Sequence, residues 1–270
     1  MSGRKSGSMP SARKTSDAHR VAIGGATGRM GRAIARLAAE HQCTIVGAFA
    51  AAGEAGQTVE GLRVAATPLE AMETAEVVID FSHASATPTI AAACRARALP
   101  MVCGTTNLDD AGQHALEELA KVAAVLWSPN MSLGVQLLAD MVEMAVRRLG
   151  VGFDVEVLET HHGRKVDAPS GTAKKLIEAV RAGLDADMPL VHGREGEVGA
   201  RQRGEIGVHA IRGGDVVGDH TVLLLGQGER LELTHRASSR DVFAHGALRA
   251  ARYLVGRPPG RYTMKDLLGG

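Results

Sequence analysis

Hydrophobic positions in the first half of the chain alternate between short apolar runs and longer segments with a helical period. The runs predict buried strands, and the segments with apolar residues every three or four positions predict helices. The predicted strands are 21–23, 44–49, 77–81, 100–103 and 124–127, and the predicted helices are 32–41, 87–98 and 109–122. Strands that alternate with helices of this length indicate βαβ units and a parallel sheet.

The pattern changes after about residue 130. Residues 132–149 have the period of a long amphipathic helix, and residues 153–159 alternate between apolar and charged positions. Such alternation is typical of a half-exposed strand in a mixed or antiparallel sheet. Further strands are predicted at 206–211, 220–225 and 230–235, and further helices at 173–184 and 242–254. We therefore predict an α/β protein with a Rossmann-type doubly wound parallel sheet, followed by an α+β domain with a mixed or antiparallel sheet.

Residues 1–19 contain almost no apolar side chains and are rich in Ser, Gly, Lys and Arg. This composition predicts a disordered tail. A secretory signal is excluded because an apolar central stretch is missing. A transit peptide is the alternative, since the segment is basic, Ser-rich and nearly free of acids.

Composition narrows the class of protein. With 270 residues, 45% of them hydrophobic, the chain is long and apolar enough to bury a core. Its net charge of +1 and its 4 Phe, 2 Tyr and 1 Trp argue against a nucleic-acid-binding protein, which needs basic excess and stacking surfaces. No apolar run is long enough to span a membrane. Three cysteines without framework spacing fit a reducing compartment, so we predict a cytoplasmic protein without disulfides.

A glycine-rich turn separates the first predicted strand from the first helix. Gly25, Gly28 and Gly31 recur every third residue. Glycines let the backbone approach a diphosphate, and the start of the helix presents free N–H groups to it. The strand–turn–helix context favours a dinucleotide site over a tight turn that binds nothing.

The acidic residue that usually follows the second strand of a dinucleotide site is missing. That strand is followed by Ala50, Ala51, Ala52 and Gly53, and the first acid is Glu54. A carboxylate at this point binds the ribose 2′-hydroxyl and repels a 2′-phosphate. We therefore expect NADPH to be used at least as well as NADH, unless Glu54 folds back into the site.

A second motif, residues 159–173, combines histidines, a lysine and a Ser-Gly-Thr turn at a predicted helix start. His161, His162 and Lys165 are residue types suited to proton transfer. The turn from Ser170 to Thr172 offers N–H groups to a carboxylate. A metal site of His161, His162 and Asp167 is a weaker interpretation because adjacent side chains point apart on an extended segment. A purely structural loop is the other alternative.

A third feature, Gly104 to Thr106, follows a predicted parallel strand. Open α/β sheets bind ligands at the carboxyl ends of their strands. The preceding Cys103 would be the nucleophile of an aldehyde dehydrogenase, but it ends an apolar run, and we predict that it is a small core residue. Cys43 and Cys94 have the same structural pattern.

The run from Glu159 to Ala173, Glu-Thr-His-His-Gly-Arg-Lys-Val-Asp-Ala-Pro-Ser-Gly-Thr-Ala, resembles the signature of the 4-hydroxy-tetrahydrodipicolinate reductase (dihydrodipicolinate reductase) family. The resemblance extends over nearly the whole chain after the tail. Further matching segments are 25–31, 80–82, 104–106, 128–134, 212–220 and 238–243.

The resemblance implies a reductase of lysine and diaminopimelate biosynthesis that uses NADPH or NADH. It would convert 4-hydroxy-tetrahydrodipicolinate, a cyclic dicarboxylate, to tetrahydrodipicolinate. By similarity His161 is the proton donor and acceptor, Lys165 is a second proton donor, and no metal takes part. The residues implied in binding the substrate carboxylates are His162, Ser170, Gly171 and Thr172. The residues implied along the cofactor are Gly25, Ala26, Thr27, Gly28, Arg29, Met30, Gly104, Thr105, Thr106, Ser128, Pro129, Asn130, Met131, Arg240 and Phe243.

The resemblance also implies a domain plan and an assembly. Residues 20–130 and 240–270 would form the dinucleotide-binding domain, and residues 131–239 the domain for substrate binding and oligomerisation. The family assembles as homotetramers through the second domain and closes its two domains over substrate. This chain departs from the family in lacking the ribose acid and in having Asn107 where a glycine usually follows Gly-Thr-Thr. A non-catalytic NAD(P)-binding regulator is a further alternative to the reductase.

The distribution of charge sharpens this prediction. The first 20 residues contain five basic side chains and one acid, so the net positive charge comes from the tail and the rest of the chain is slightly acidic. Because the chain after the tail is slightly acidic, it must concentrate positive potential locally to bind anions. We expect that concentration at residues 161–175 and at the glycine turn.

Overall fold

The computed structural model describes residues 18–269. The predicted disordered tail lies outside the described residues, apart from its last two positions. The strands are β1 (His19–Gly24), β2 (Cys43–Phe49), β3 (Thr58–Val59), β4 (Leu62–Ala65), β5 (Val77–Asp80), β6 (Met101–Cys103), β7 (Ala124–Trp127), β8 (Asp154–His161), β9 (Leu190–His192), β10 (Ile206–Arg212), β11 (Gly218–Gly226), β12 (Glu229–Ala237) and β13 (Gly260–Tyr262). The α-helices are α1 (Arg29–Leu37), α2 (Pro68–Ala71), α3 (Thr87–Ala96), α4 (Asp110–Ala120), α5 (Leu133–Leu149), α6 (Gly171–Leu184), α7 (Asp241–Leu254) and α8 (Met264–Leu267).

The first sheet has eight strands in the order β13-β7-β6-β5-β1-β2-β4-β3, and only the pairing of β3 with β4 is antiparallel. Helices α1, α7 and α8 pack on one face, and α2, α3 and α4 pack on the other. Strands covered on both faces must be apolar throughout, which explains continuous runs such as 21–23. The prediction of a doubly wound parallel sheet is confirmed.

The strand order explains where a site can form. Strand β1 lies between β2 and β5, so the chain crosses to opposite sides of β1. The carboxyl ends of β1, β5, β6 and β7 therefore lie next to one another, and the loops that follow them meet at one edge. This switch point is where open α/β sheets bind their ligands.

The second sheet has the order β12-β11-β8-β10-β9. Its central strand, β8, is parallel to β10 and antiparallel to β11, which confirms the predicted mixed sheet. Helices α5 and α6 cover one face and bury Val155 and Val157 of β8.

The expectation that β8 is half-exposed is wrong. Glu156 and Glu159 are 7% and 1% exposed, so they belong to the same buried class as Val155 and Val157 of this strand. Arg194 and Arg201, from the segment between β9 and β10, cover the Glu156 carboxylate, and Arg212 of β10 covers Glu159. An alternation of charged and apolar residues does not reveal exposure when arginines from distant segments neutralise the charges.

The chain returns to the first sheet at its carboxyl end. Strand β13 pairs with β7, and α7 is part of the core beneath β1 and β5. On this ground we keep the division into 20–130 with 240–270 and 131–239 as a proposal. The sequence patterns missed β3, β4, α2, β9, β13 and α8 because elements of two to four residues show no period.

Candidate active site

The glycine turn joins β1 to α1 in a conformation that needs glycine. Gly25 has φ +71°, and a Cβ there would lie 2.5 Å from the carbonyl oxygen of Phe81. A Cβ on Gly31 would lie 2.4 Å from the carbonyl oxygen of Gly25. Gly28 is the N-cap of α1 and has no side chain to accept from the first-turn N–H groups, and this turn contains no acid. The N–H groups are therefore available to an anion such as the diphosphate of a dinucleotide.

A cavity of about 300 Å³ adjoins this turn, which we call the cofactor cavity. It is lined by Met30, Phe81, Ser82, Gly104, Thr105, Thr106, Pro129, Asn130, Met131 and Phe243. Eight of these ten were implied along the cofactor by the resemblance; Phe81 and Ser82 were not. Residues 25–29 form the adjoining turn. The described geometry therefore fits a nicotinamide dinucleotide.

A buried carboxyl group connects two of the loops that line this cavity. Asp80, at the end of β5, accepts hydrogen bonds from the Ser82 N–H at 2.9 Å and the hydroxyls of Thr87 and Thr105 at 3.3 and 3.2 Å. Burial raises the pKa of Asp80, and these three donors only partly oppose the shift. Asp80 thus ties the loop after β5 to the loop after β6.

Cys103 is a core residue, as predicted. Its side chain is completely buried. Burial and the neighbouring Asp80 raise the pKa of its thiol to about 12. Because the thiolate is the nucleophilic form, this site argues against aldehyde dehydrogenase chemistry. Cys43 and Cys94 are also buried and free.

Asn107 has a φ of +56°, in the left-handed region. Asparagine is among the few non-glycine residues that adopt this region readily. Asn107 therefore adopts a backbone conformation that glycine would also adopt readily.

Glu54 folds back toward the end of β2. Its carboxylate accepts a hydrogen bond from the Ala51 N–H at 3.2 Å. Phe49, the last residue of β2, accepts from the Ala26 N–H of the glycine turn at 3.1 Å, so this segment adjoins the turn. The Glu54 carboxylate thus lies beside the end of β2, where the sequence lacks the acid that usually binds the ribose.

A second cavity, of about 760 Å³, extends from the first sheet to the second, and we call it the substrate cavity. Residues from both sheets and from α6 and α7 line it: Thr106, Asn107, Ser128, Pro129, Asn130, His161, His162, Lys165, Val166, Asp167, Ser170, Gly171, Thr172, Lys174, Lys175, Val217, Arg240 and Phe243. It brings together every residue for which the resemblance implied proton transfer or substrate binding. Lys174 and Lys175 add two further cations that sequence reasoning did not assign.

His161 ends β8 and contacts a buried carboxylate. Its Nδ1 is hydrogen-bonded to Glu159, whose other partners are both Arg212 nitrogens, at 2.8 and 2.9 Å, and the Ser170 N–H at 3.0 Å. Burial alone would raise the pKa of Glu159, but these donors outweigh it and the net shift is downward. Glu159 is therefore ionised.

His220 lies against the other side of His161. The two rings meet edge to face, with centroids 5.1 Å apart. Burial and the nearby His161 lower the pKa of His220 to about 4, so it is neutral at pH 7. Its Nε2 lies 3.1 Å from the Ser170 hydroxyl.

Two further hydrogen-bonded pairs lie at the cavity wall. Lys165 Nζ lies 2.7 Å from the Asp167 carboxylate, and Arg240 Nη2 lies 3.1 Å from His162 Nε2. Because a guanidinium can only donate, Nε2 of His162 accepts from Arg240. Partial desolvation and the positive charge of Arg240 lower the pKa of His162.

The Ser-Gly-Thr turn caps α6. The Ser170 hydroxyl accepts from the Ala173 N–H at 3.2 Å, and the Asn130 amide donates to the Thr172 hydroxyl at 2.8 Å. The second of these bonds links a cofactor loop to the predicted carboxylate site. The first turn of α6 has no acid of its own, and its positive end, where Glu159 already accepts from the Ser170 N–H, borders the cavity.

The alternative metal trio of His161, His162 and Asp167 is not among the convergent groups of residues 18–269. Within residues 18–269 the convergent set is Glu159, His161 and His220, with ligand atoms within 4.8 Å of one another. Arg212 already donates to both Glu159 oxygens. This donor set fits a carboxylate–histidine pair better than a metal centre.

Sequence reasoning missed the roles of Glu159, Arg212 and His220. One signal was present: Glu159 and His161 are two residues apart on a predicted strand and so share a face. The partners Arg212 and His220 come from other strands, and only the sheet register brings them to Glu159.

Two family models cover nearly the whole described chain. "Dihydrodipicolinate reductase, N-terminus" matches residues 19–131, and "Dihydrodipicolinate reductase, C-terminus" matches residues 134–268. Within residues 18–269, no helix is both long and apolar enough to cross a membrane.

Sequence relatives agree with these matches. The 4-hydroxy-tetrahydrodipicolinate reductase of Thiobacillus denitrificans is 45% identical over 262 residues, which cover 93% of this chain and 98% of that protein. The enzyme of the same name from Myxococcus xanthus is 46% identical over 264 residues, covering 93% and 97%. The fold resembles that of dipicolinate-bound dihydrodipicolinate reductase from Paenisporosarcina sp. TG-14, with a TM-score of 0.74 at 24% identity over 91% of this chain and 97% of that one. The chain therefore belongs to the dihydrodipicolinate reductase family.

Proposed function

We propose that the chain reduces 4-hydroxy-tetrahydrodipicolinate to tetrahydrodipicolinate at the expense of NADPH or NADH. In the net reaction the 4-hydroxy substrate loses water, and the ring takes up one hydride and one proton. Family membership supports the reaction, and the arrangement of the two cavities supports the place where it occurs.

The observation that carries this proposal is the contact between the cofactor cavity and the substrate cavity. Thr106, Pro129, Asn130 and Phe243 line both. A nicotinamide in the first cavity would supply hydride directly into the second. The shared wall lets the protein hold both reactants in fixed geometry, which lowers the entropic part of the barrier.

Two side chains of the substrate cavity are suited to proton transfer. His161 and Lys165 both line it, and each has a carboxylate partner, Glu159 and Asp167 respectively. We assign His161 as proton donor and acceptor and Lys165 as second donor. Lys165 would exchange Asp167 for substrate, because the Asp167 side chain is 53% exposed and its hold is weakened by solvent.

The substrate carboxylates are assigned to the start of α6 and the cations around it. The backbone N–H groups of Gly171 and Thr172 and the positive end of the helix favour an anion, whereas the Ser170 N–H already donates to Glu159. Lys174 and Lys175 follow directly and line the same cavity. This is the local concentration of positive potential that the slightly acidic chain after the tail requires.

The decisive experiment is oxidation of NADPH and NADH by the purified protein with 4-hydroxy-tetrahydrodipicolinate. We expect turnover by the wild type. Lys165→Ala should lower kcat about 100-fold or more, the range for loss of a general acid, while the Kd of NADPH is unchanged. Lys174→Ala is the matched control: it removes the same charge from the same cavity and should raise KM more than it lowers kcat.

The rival functions give different results. A non-catalytic regulator would bind NADPH without any turnover of this substrate, and that result would overturn the proposal. An aldehyde dehydrogenase would lose its activity in Cys103→Ala, whereas the reductase should retain it.

We also propose a cytoplasmic homotetramer, with the second sheet as the subunit interface. Its face opposite α5 and α6 carries Leu158, Leu223 and Ile211, and Ile211 is 51% exposed. Apolar side chains in the middle of an uncovered sheet favour burial against another subunit.

A further inference from the structure

Glu159 and His161 form a carboxylate–imidazole pair on one face of β8. The Glu159 side chain is 0% exposed and that of His161 is 11% exposed. The hydrogen bond joins Nδ1 of the ring to Oε2 of the carboxylate. Nε2 of His161 has no hydrogen-bond partner between residues 18 and 269, and the ring lines the substrate cavity.

The remaining oxygen positions of Glu159 are occupied by donors. Arg212 donates from two nitrogens, one to each oxygen, and the Ser170 N–H donates to Oε1. Arg212 is itself held by the carbonyl oxygen of Asp167 at 2.7 Å. A buried carboxylate with these partners stays ionised and keeps one orientation.

An ionised acceptor requires a proton on the nitrogen that faces it. The hydrogen bond made by one ring nitrogen of a histidine decides which nitrogen exchanges protons. With the Glu159 carboxylate at Nδ1, the proton of the neutral ring resides on Nδ1, and Nε2 is left to gain or lose a proton.

We propose that Glu159, held by Arg212, is a positioning residue of the reaction: it fixes the tautomer of His161 so that Nε2 exchanges the proton with substrate. The effect of Glu159 on the reaction rate rests on the proposed function. The tautomer itself does not depend on which substrate is used.

Other titratable side chains also lie around His161. His220 of β11 packs on the ring and is neutral, with His235 of β12 next to it. Lys165 and His162 belong to the loop that follows β8 and share the cavity wall. Of these neighbours, only the Glu159 carboxylate bonds directly to the imidazole.

The test uses two glutamates of β8. Glu159→Gln keeps the shape but removes the charge. We expect kcat to fall about 10- to 100-fold, part of the full contribution of a general acid, with little change in the Kd of NADPH. The alkaline limb of the kcat–pH profile, where a protonated acid is lost, should move about one pH unit lower, because the imidazolium has lost its counter-charge.

Glu156→Gln is the matched control. Glu156 is also buried on β8 and bound by arginines and a histidine, but it does not line the substrate cavity. It should lose stability while keeping the pH profile. Glu159→Asp retains the charge and should restore the position of the alkaline limb even where kcat stays reduced.

The proposal is overturned if Glu159→Gln keeps the wild-type pH profile with kcat within about 3-fold, or if Glu156→Gln shifts the profile equally. Should Glu159→Gln fail to fold, the wild-type ring ¹⁵N spectrum, assigned with His161→Asn, gives an independent answer. At a pH where the ring is neutral, a proton on Nδ1 supports the proposal, and a proton on Nε2 overturns it. This spectrum is informative even if the wild type does not turn over 4-hydroxy-tetrahydrodipicolinate, in which case only the proposed function fails.

Discussion

At the residue scale, the carboxylate of Glu54 sets the charge beside the end of β2. Glu54 comes five residues after Phe49, the last residue of β2. Its carboxylate nevertheless accepts a hydrogen bond from the Ala51 N–H, close to the end of that strand. The sequence alone predicts use of NADPH at least as good as that of NADH, and this stays a prediction. The position of Glu54 supplies a negative charge that a 2′-phosphate would have to overcome.

We predict that Glu54→Gln raises the NADPH/NADH ratio of kcat/KM about 3- to 10-fold. The physical reason is the loss of a partly screened repulsion with the 2′-phosphate, worth about 1 kcal/mol. Steady-state kinetics with both cofactors measure the ratio. Glu60→Gln, an exposed acid in the turn between β3 and β4, should leave it unchanged. An unchanged ratio in Glu54→Gln would show that Glu54 only caps the Ala51 N–H.

At the element scale, arginines from other segments neutralise the buried glutamates of β8. Glu156 receives hydrogen bonds from Arg194, Arg201 and His209, and a Cβ on Gly207 of the neighbouring strand would collide with its carboxylate at 1.7 Å. Burial raises the pKa of Glu156, but these partners outweigh it and lower the pKa to about 2.

This depressed pKa predicts an acid-sensitive sheet. A carboxyl group whose pKa is lower in the folded state contributes stability above its ordinary pKa, and that contribution is lost as pH falls through the folded value. For Glu156 the window runs from 4.5 down to about 2.

We expect Glu156→Gln to lower the free energy of unfolding by about 3 kcal/mol at pH 7 and by a little under half of that amount near pH 3. Urea unfolding at both pH values checks this. Glu197→Gln, at an exposed position of the segment that covers Glu156, should differ little from the wild type at either pH. A loss of equal size at both pH values would mean that packing rather than charge is responsible.

At the scale of the whole molecule, the site exists only where the two sheets meet. The Asn130–Thr172 and Arg240–His162 hydrogen bonds join loops of the first sheet and α7 to the segment between β8 and α6. The chain reaches this arrangement by returning to the first sheet after β12, so that α7 contributes Phe243 to both cavities. Closure of such a cleft would exclude water from the hydride and proton steps.

The proposed tetramer gives a prediction at this scale. Ile211→Glu places a charge in the uncovered face of the second sheet and should dissociate the tetramer, because an unpaired charge at a subunit interface is strongly disfavoured. Light scattering coupled to gel filtration measures the mass. Val151→Glu is the control, since Val151 is 85% exposed and lies in the turn between α5 and β8. A wild-type mass for Ile211→Glu would place the interface elsewhere.

The alternation of strands and helices, the glycine turn and the signature from Glu159 to Ala173 can all be read from the amino-acid sequence. These features are local: a period of two or 3.6 residues and a glycine at a positive φ are set by neighbouring positions. The same locality explains why Asn107 was recognised as a matter of loop geometry and why Cys103 was assigned to the core.

Which charges are buried, and what they contact, depends instead on the folded arrangement of distant segments. Glu156 and Glu159 have the pattern of exposed residues until Arg194, Arg201 and Arg212 approach from segments about 40 to 50 residues away. The same holds for Glu54, whose role depends on how the chain turns after β2. Ion pairs and hydrogen bonds across strands have no sequence period, because their partners are set by register and strand order rather than by spacing along the chain.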